Sequence, residues 1–103
     1  MCLIALFFRV VDDAPLVIGA NREEEYARGG EPPQVWSGTC RVVAGRDPVA
    51  GGTWFGVNEH GLVAAVTNRR RSPLPEAPRS RGLLTRALLD FSSVKDATAK
   101  AVD

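Results

Sequence analysis

An apolar run starts at the second position, Cys2-Leu3-Ile4-Ala5-Leu6-Phe7-Phe8, and another follows Asp12-Asp13-Ala14-Pro15. Aspartates bond their own backbone and proline fixes φ, so the segment between the runs is a turn, and residues 2–11 and 15–20 are expected to pair as a β-hairpin. No other feature constrains the fold as much, because it puts the first residues at the start of a paired strand. The first run is about seven residues, against the roughly 20 that a membrane-spanning helix needs. With no basic residue before it and no small-residue cleavage site after it, the run reads as a buried strand and not as a signal peptide.

Beyond the hairpin, glycine and proline punctuate the chain. Residues 21–30 are polar and run into Gly29-Gly30-Glu31-Pro32-Pro33, a loop with at most one helical turn. A weaker strand is expected at 40–44. A second hairpin comes next, with strands at 53–57 and 61–67 joined through Asn58-Glu59-His60-Gly61. The second of these strands is apolar almost throughout, the pattern of a strand covered on both faces. Residues 72–78 are too rich in proline for a helix. Beyond them Leu83, Leu84, Ala87, Leu88 and Phe91 share one helical face, with Ser80 as N-cap, and Ser92 or Ser93 caps a second helix through Ala101. Antiparallel strands followed by two helices make an α+β fold.

The 103 residues are 45% hydrophobic and 24% charged, the composition of one soluble globular domain. A net charge of +1 supplies no global field to attract nucleic acid or acidic lipid. Arg69-Arg70-Arg71, with Arg79 and Arg81, is a local basic stretch; interrupted by prolines and without interleaved aromatics, it reads as a solvated loop. Two cysteines, Cys2 and Cys40, allow one disulfide at most, so a reducing compartment, the cytoplasm, is the simpler expectation. His60, Cys40 and Cys2 lack metal-ligand spacing, and Gly51-Gly52 lacks the lysine and helix of a phosphate loop, so no metal and no cofactor is assigned.

Cys2 admits two readings. A small residue at position 2 permits removal of Met1, which leaves a thiol and a free α-amine on one carbon. An α-amine titrates near about 8 and a thiol near about 8.5, so such an amine can relay the thiol proton without a separate histidine. The alternative is a small buried hydrophobe at a strand start. Asn21 and Asn68 are likewise either site residues or partners for turn backbone. Arg46-Asp47 reads as a loop ion pair. Trp54 and Phe55 alternate along their strand, with a core role for both as the default and a cleft position open to one.

Several stretches together carry a resemblance: Met1-Cys2-Leu3-Ile4, Ala20-Asn21-Arg22-Glu23-Glu24, Ala44-Gly45-Arg46-Asp47, Gly51-Gly52-Thr53-Trp54-Phe55-Gly56-Val57, Ala65-Val66-Thr67-Asn68-Arg69 and Pro78-Arg79-Ser80-Arg81-Gly82. The chain resembles the NRDE family, named for an Asn-Arg-Asp-Glu motif and also called the transport and Golgi organization protein 2 family. Glu23 stands where the family usually carries Asp, one methylene longer. The family is similar to the N-terminal nucleophile (Ntn) hydrolases, which implies the amino-terminal part of an αββα sandwich, with residues 1–103 forming one portion of a larger domain. The closest chemical pattern is that of the cysteine amidases related to penicillin V acylase and bile salt hydrolase. By that likeness Cys2 is the nucleophile, Asn68 an oxyanion donor, and Asn21, Arg22 and Glu23 orient the amine and supply a cation near the thiol. The arginine that those amidases carry before the Asn is Ala20 here.

The resemblance thus implies an amidohydrolase of linear C–N bonds acting on a small amide or acyl compound. The rival it also implies is a non-catalytic protein that carries a lipid, acyl-CoA or haem in the same cleft. Because 103 residues supply only part of such a sandwich, exposed strand edges and an apolar face are expected, and with them self-association into a homo-oligomer.

Overall fold

The computed structural model describes residues 2–23, 26–67 and 80–102. The expected loop at 72–78, the basic stretch at 69–71 with Arg79, and Asn68 lie outside these residues. The chain is α+β: two antiparallel sheets are followed by two helices.

Strands β1 (Leu3–Val11) and β2 (Ala14–Asn21) form the opening hairpin, in register from Leu3 opposite Asn21 to Phe8 opposite Leu16. The turn is tighter than the sequence suggested, Asp12-Asp13, with Asp13 at φ 62°, a conformation that aspartate tolerates. The register slips between Phe8 and Val11, where Arg9 takes φ 57° and lays its guanidinium 4.9 Å from the Phe8 ring centre.

A short 3-10 turn (Tyr26–Arg28) leads into the second sheet, with β3 (Glu31–Trp36), β4 (Val42–Arg46), β5 (Phe55–Asn58) and β6 (Val63–Ala65) in that spatial order. Strand β3 corrects the sequence reading, which left Glu31-Pro32-Pro33 in a loop. The prolines are accommodated because β3 is an edge strand, and the pairing slips between Glu31 and Gln34, where their missing N–H groups fall. Another correction concerns β6. It is an edge strand with Val63 and Ala64 half-buried and Ala65 exposed, not a strand covered on both faces.

Helices α1 (Arg81–Leu88) and α2 (Val94–Val102) begin where local chemistry marks them: Ser80 Oγ accepts the Leu83 N–H and Ser93 Oγ accepts the Asp96 N–H. The buried face of α1 is not the expected one, for Leu83 and Leu84 are 50% and 43% exposed while Thr85 and Leu89 are buried. Gly82 explains the rotation. Thr53 N–H donates to its carbonyl, and Gly52 lies so close that any Cβ there would strike the Gly82 backbone. That backbone contact turns positions 82, 85 and 89 toward the sheet, as i, i+3 and i+7 require.

The core comprises Cys40, Val42, Ala44 and Leu89, with Trp36 and Ala64 packed on it. Asn58 is buried at its edge and fastens sheet to helix: Nδ2 donates to Leu89 O (3.0 Å) and Phe91 O (2.6 Å), while Oδ1 accepts the His60 and Leu62 N–H groups. On the opposite face, cross-strand partners Val35, Val43, Val57 and Val63 form a β-branched row whose first three members are exposed. Both faces of the hairpin are apolar and open as well, with Leu3, Leu6, Phe7, Phe8 and Val10 all exposed.

Candidate active site at the strand mouth

Cys2 stands immediately before β1, and the pairing of Leu3 with Asn21 sets the end of β2 beside it. Asn21 strengthens that pairing with its side chain, Oδ1 accepting the Leu3 N–H at 2.8 Å. A side-chain oxygen thus pins the peptide that follows the thiol and limits how Cys2 can swing. The chain then turns back over the sulfur. Glu23 N–H donates to Cys2 Sγ at 3.4 Å, and the thiol lies 3.8 Å from Glu23 O as a donor. A backbone N–H thus points at the sulfur and helps fix its position at the strand mouth. Glu23 therefore meets Cys2 through its peptide group.

Arg22 belongs to the cleft wall. Its Nη1 donates to Gly29 O at 2.9 Å and its guanidinium stacks 4.4 Å from the centre of the Trp54 ring. Trp54 can lie there because Gly45 has no side chain: a Cβ at that position would come within 2.6 Å of the ring. The loop carrying Arg22 is secured a second time by Arg28, which forms a forked ion pair with Asp47 (Nη2–Oδ2 2.6 Å). These hydrogen bonds hold the Asp47 carboxyl below the ordinary carboxylate range against the opposing effect of burial, and Val49 N–H adds to them. The partner expected for this aspartate was Arg46, its neighbour. The structure gives it Arg28, because Arg46 is exposed while the 3-10 turn delivers Arg28 to the half-buried side.

Cys2, Asn21 and Arg22 line one small cleft together with Ile4, Ala20, Trp54, Phe55, Val66 and Thr67, and its volume is about 20 Å³. Of the residues picked out from sequence, these three and the Glu23 peptide come together; Asn68 lies outside the described residues. Both Trp54 and Phe55 are half-buried and face the cleft, so the expectation of a core role for both is corrected. Ile4, Ala20 and Val66 were missed as cleft residues. Strand periodicity marks them as apolar without telling core from cleft wall.

Cys2 and Cys40 are both free thiols. Cys40 does not line the cleft; it is buried in the core cluster, with Sγ donating to Leu89 O at 3.0 Å. Across the sheet end, its sulfur, a Glu59 carboxylate oxygen and a His60 ring nitrogen lie within 4.8 Å of one another. Sequence spacing gave no sign of this cluster, since the segment leading into β4 and the β5–β6 turn bring it together. No helix among the described residues is long and apolar enough to cross a membrane.

A family model described as Transport and Golgi organisation 2 matches residues 1–103. The chain is 34% identical over 99 residues to the Bos taurus protein named Transport and Golgi organization protein 2 homolog, covering 86% of this chain and 35% of that protein. It is 34% identical over 94 residues to the Homo sapiens protein of the same name, covering 82% and 33% respectively. The Mus musculus relative is 33% identical over a similar span. The chain thus spans about a third of the length of the curated relatives it matches. No solved structure matches.

Proposed function

The chain belongs to the Transport and Golgi organisation 2 family, and on that premise we propose that it is an Ntn-type hydrolase of linear amide C–N bonds with Cys2 as nucleophile. The observation that carries the reading is the placement of a thiol at a strand mouth, in a cleft, with a backbone N–H directed at its sulfur. Removal of Met1 makes the Cys2 amine the base. The amine takes the thiol proton, and sulfur attacks the amide carbon to give a tetrahedral oxyanion. The α-ammonium then protonates the departing nitrogen, leaving a thioester that water cleaves. Glu23 N–H is one donor beside the reacting centre, and Asn68, by resemblance, is assigned as the other; an oxyanion donor of this kind contributes a few kcal/mol. The cleft is small and lined mainly by apolar side chains, which suits the reacting end of an acyl compound.

The relatives are named for transport and Golgi organization, and turnover of a small acyl compound is the molecular activity assigned here beneath such a role. The proposed location is a reducing compartment, the cytoplasm. Residues 1–103 act as the amino-terminal portion of a larger Ntn-like domain, completed by another copy of the chain or by further sequence. A second reading, carriage of an acyl lipid, acyl-CoA or haem without chemistry, draws support from the open apolar side chains Leu3, Leu6 and Phe8 of the hairpin whose first strand begins at the cleft.

Intact mass spectrometry before and after treatment with a cysteine-reactive amide analogue, combined with turnover of a panel of N-acyl amides, separates the two. The hydrolase reading expects loss of Met1, one label on Cys2, and no turnover by Cys2→Ala with its fold retained. Met1 still attached in active material, or unchanged turnover in Cys2→Ala, overturns it. Ligand affinity that survives Cys2→Ala without any turnover supports the carrier.

A further inference from the structure

We propose that Cys40, Glu59 and His60 form a binding site for a borderline divalent transition metal, with Zn(II) as the best fit. The three donor atoms, one sulfur, one carboxylate oxygen and one imidazole nitrogen, lie within 4.8 Å of one another. They come from two elements that the fold holds in fixed relation. Glu59 N–H donates to Arg41 O at 2.9 Å, and Arg41 N–H donates to Glu59 Oε1 at 2.9 Å, which extends the β4–β5 ladder past Val42 and Asn58. Asn58 Oδ1 holds the His60 peptide at 2.9 Å. The turn bearing Glu59 and His60 is thereby folded over the residue that carries the thiol.

The donor set selects the ion. Ca(II) and Mg(II) require oxygen ligands, whereas thiolate with imidazole and carboxylate suits Zn(II), which takes three protein ligands and keeps a fourth position for water. In a tetrahedral zinc site the ligand atoms are roughly 3.5 Å apart, so the cluster must contract by about 1 Å. Cys40 is fixed in the core, but Glu59 and His60 are exposed and have the rotamer freedom to close.

Two further features fit. Each Glu59 carboxylate oxygen retains a lone pair beyond those that face Arg41, whose N–H donates to Oε1 at 2.9 Å. Metal binding would release the Cys40 thiol proton to solvent, and Leu89 O, which that thiol now satisfies, keeps its bond from Asn58 Nδ2 at 3.0 Å. Deprotonation therefore leaves no buried carbonyl unpaired. The site lies apart from the Cys2 cleft and does not depend on the hydrolase reading.

The test is titration of the full chain with Co(II), followed by displacement with Zn(II). A saturable thiolate-to-cobalt charge-transfer band with intense tetrahedral visible bands, erased by one equivalent of Zn(II), is expected. The bands should persist in Cys2→Ala, and His60→Ala and Glu59→Gln should each weaken binding by about tenfold or more. Cys40→Ala should abolish the bands; because that residue is in the core, the two exposed variants keep the test decisive if it does not fold. Bands absent from the native chain, lost in Cys2→Ala, or unchanged in His60→Ala would overturn the proposal.

Discussion

Replacing Asn58 with alanine removes four hydrogen bonds at once. Two of these, to Leu89 O and from Leu62 N–H, are buried; the other two, to Phe91 O and from His60 N–H, are partly buried. Leu89 O keeps the Cys40 thiol as a donor and the exposed His60 peptide can turn to water, so Leu62 N–H is the buried group left without its partner. Counting those two as replaced, with about 1 kcal/mol for the bond to Phe91 O and about 2 kcal/mol for the orphaned Leu62 N–H, the loss comes to about 3 kcal/mol. For a urea m-value of about 1.5 kcal/mol/M this moves the unfolding midpoint down by about 2 M. Asn58→Asp should be at least as damaging at neutral pH, because a carboxylate would replace the donor that faces Leu89 O and Phe91 O. Urea titration followed by far-ultraviolet circular dichroism measures both. A midpoint shift below about 0.5 M for the alanine variant, at unchanged m, would refute the claim that this amide joins the sheet to the helices.

The loop that builds the cleft and the open apolar faces can be probed in the same way. Because Asp47 titrates lower in the folded chain than unfolded, its contribution is complete above the ordinary carboxylate range and is lost as the pH falls through the depressed value. Asp47→Asn should cost about 1–2 kcal/mol at neutral pH and flatten that part of the acid-unfolding curve, and an unchanged curve would exclude the Arg28 pair as its source. Gly45→Ala should displace the Trp54 ring at a cost of about 1–3 kcal/mol and change Trp54 emission, measured in a Trp36→Phe background. The native chain is expected to run as a dimer or larger by light scattering, and Leu6→Lys with Val35→Lys to shift it toward monomer. A monodisperse native monomer would contradict the self-association reading.

What the residue order alone determined was set by interactions spanning a few positions. The hairpin with Cys2 at its mouth follows from two apolar runs around an aspartate turn, and Ser80 and Ser93 mark helix starts because their hydroxyls bond backbone three residues on. Asn21, Arg22 and Glu23 were identified as neighbours of Cys2 by resemblance. The manner of their contact, a peptide N–H for Glu23 and a Trp54 stack for Arg22, depends on loop geometry that no motif encodes. Tertiary structure decided the rest: that Pro32 and Pro33 sit in an edge strand, that a Gly52–Gly82 approach turns α1 onto Thr85 and Leu89, that Asp47 bonds Arg28, and that Cys40 meets Glu59 and His60. In each case the partner is distant in sequence. Local propensity fixes backbone angles and caps, whereas burial and pairing depend on which surfaces the assembled sheet and helices present to one another.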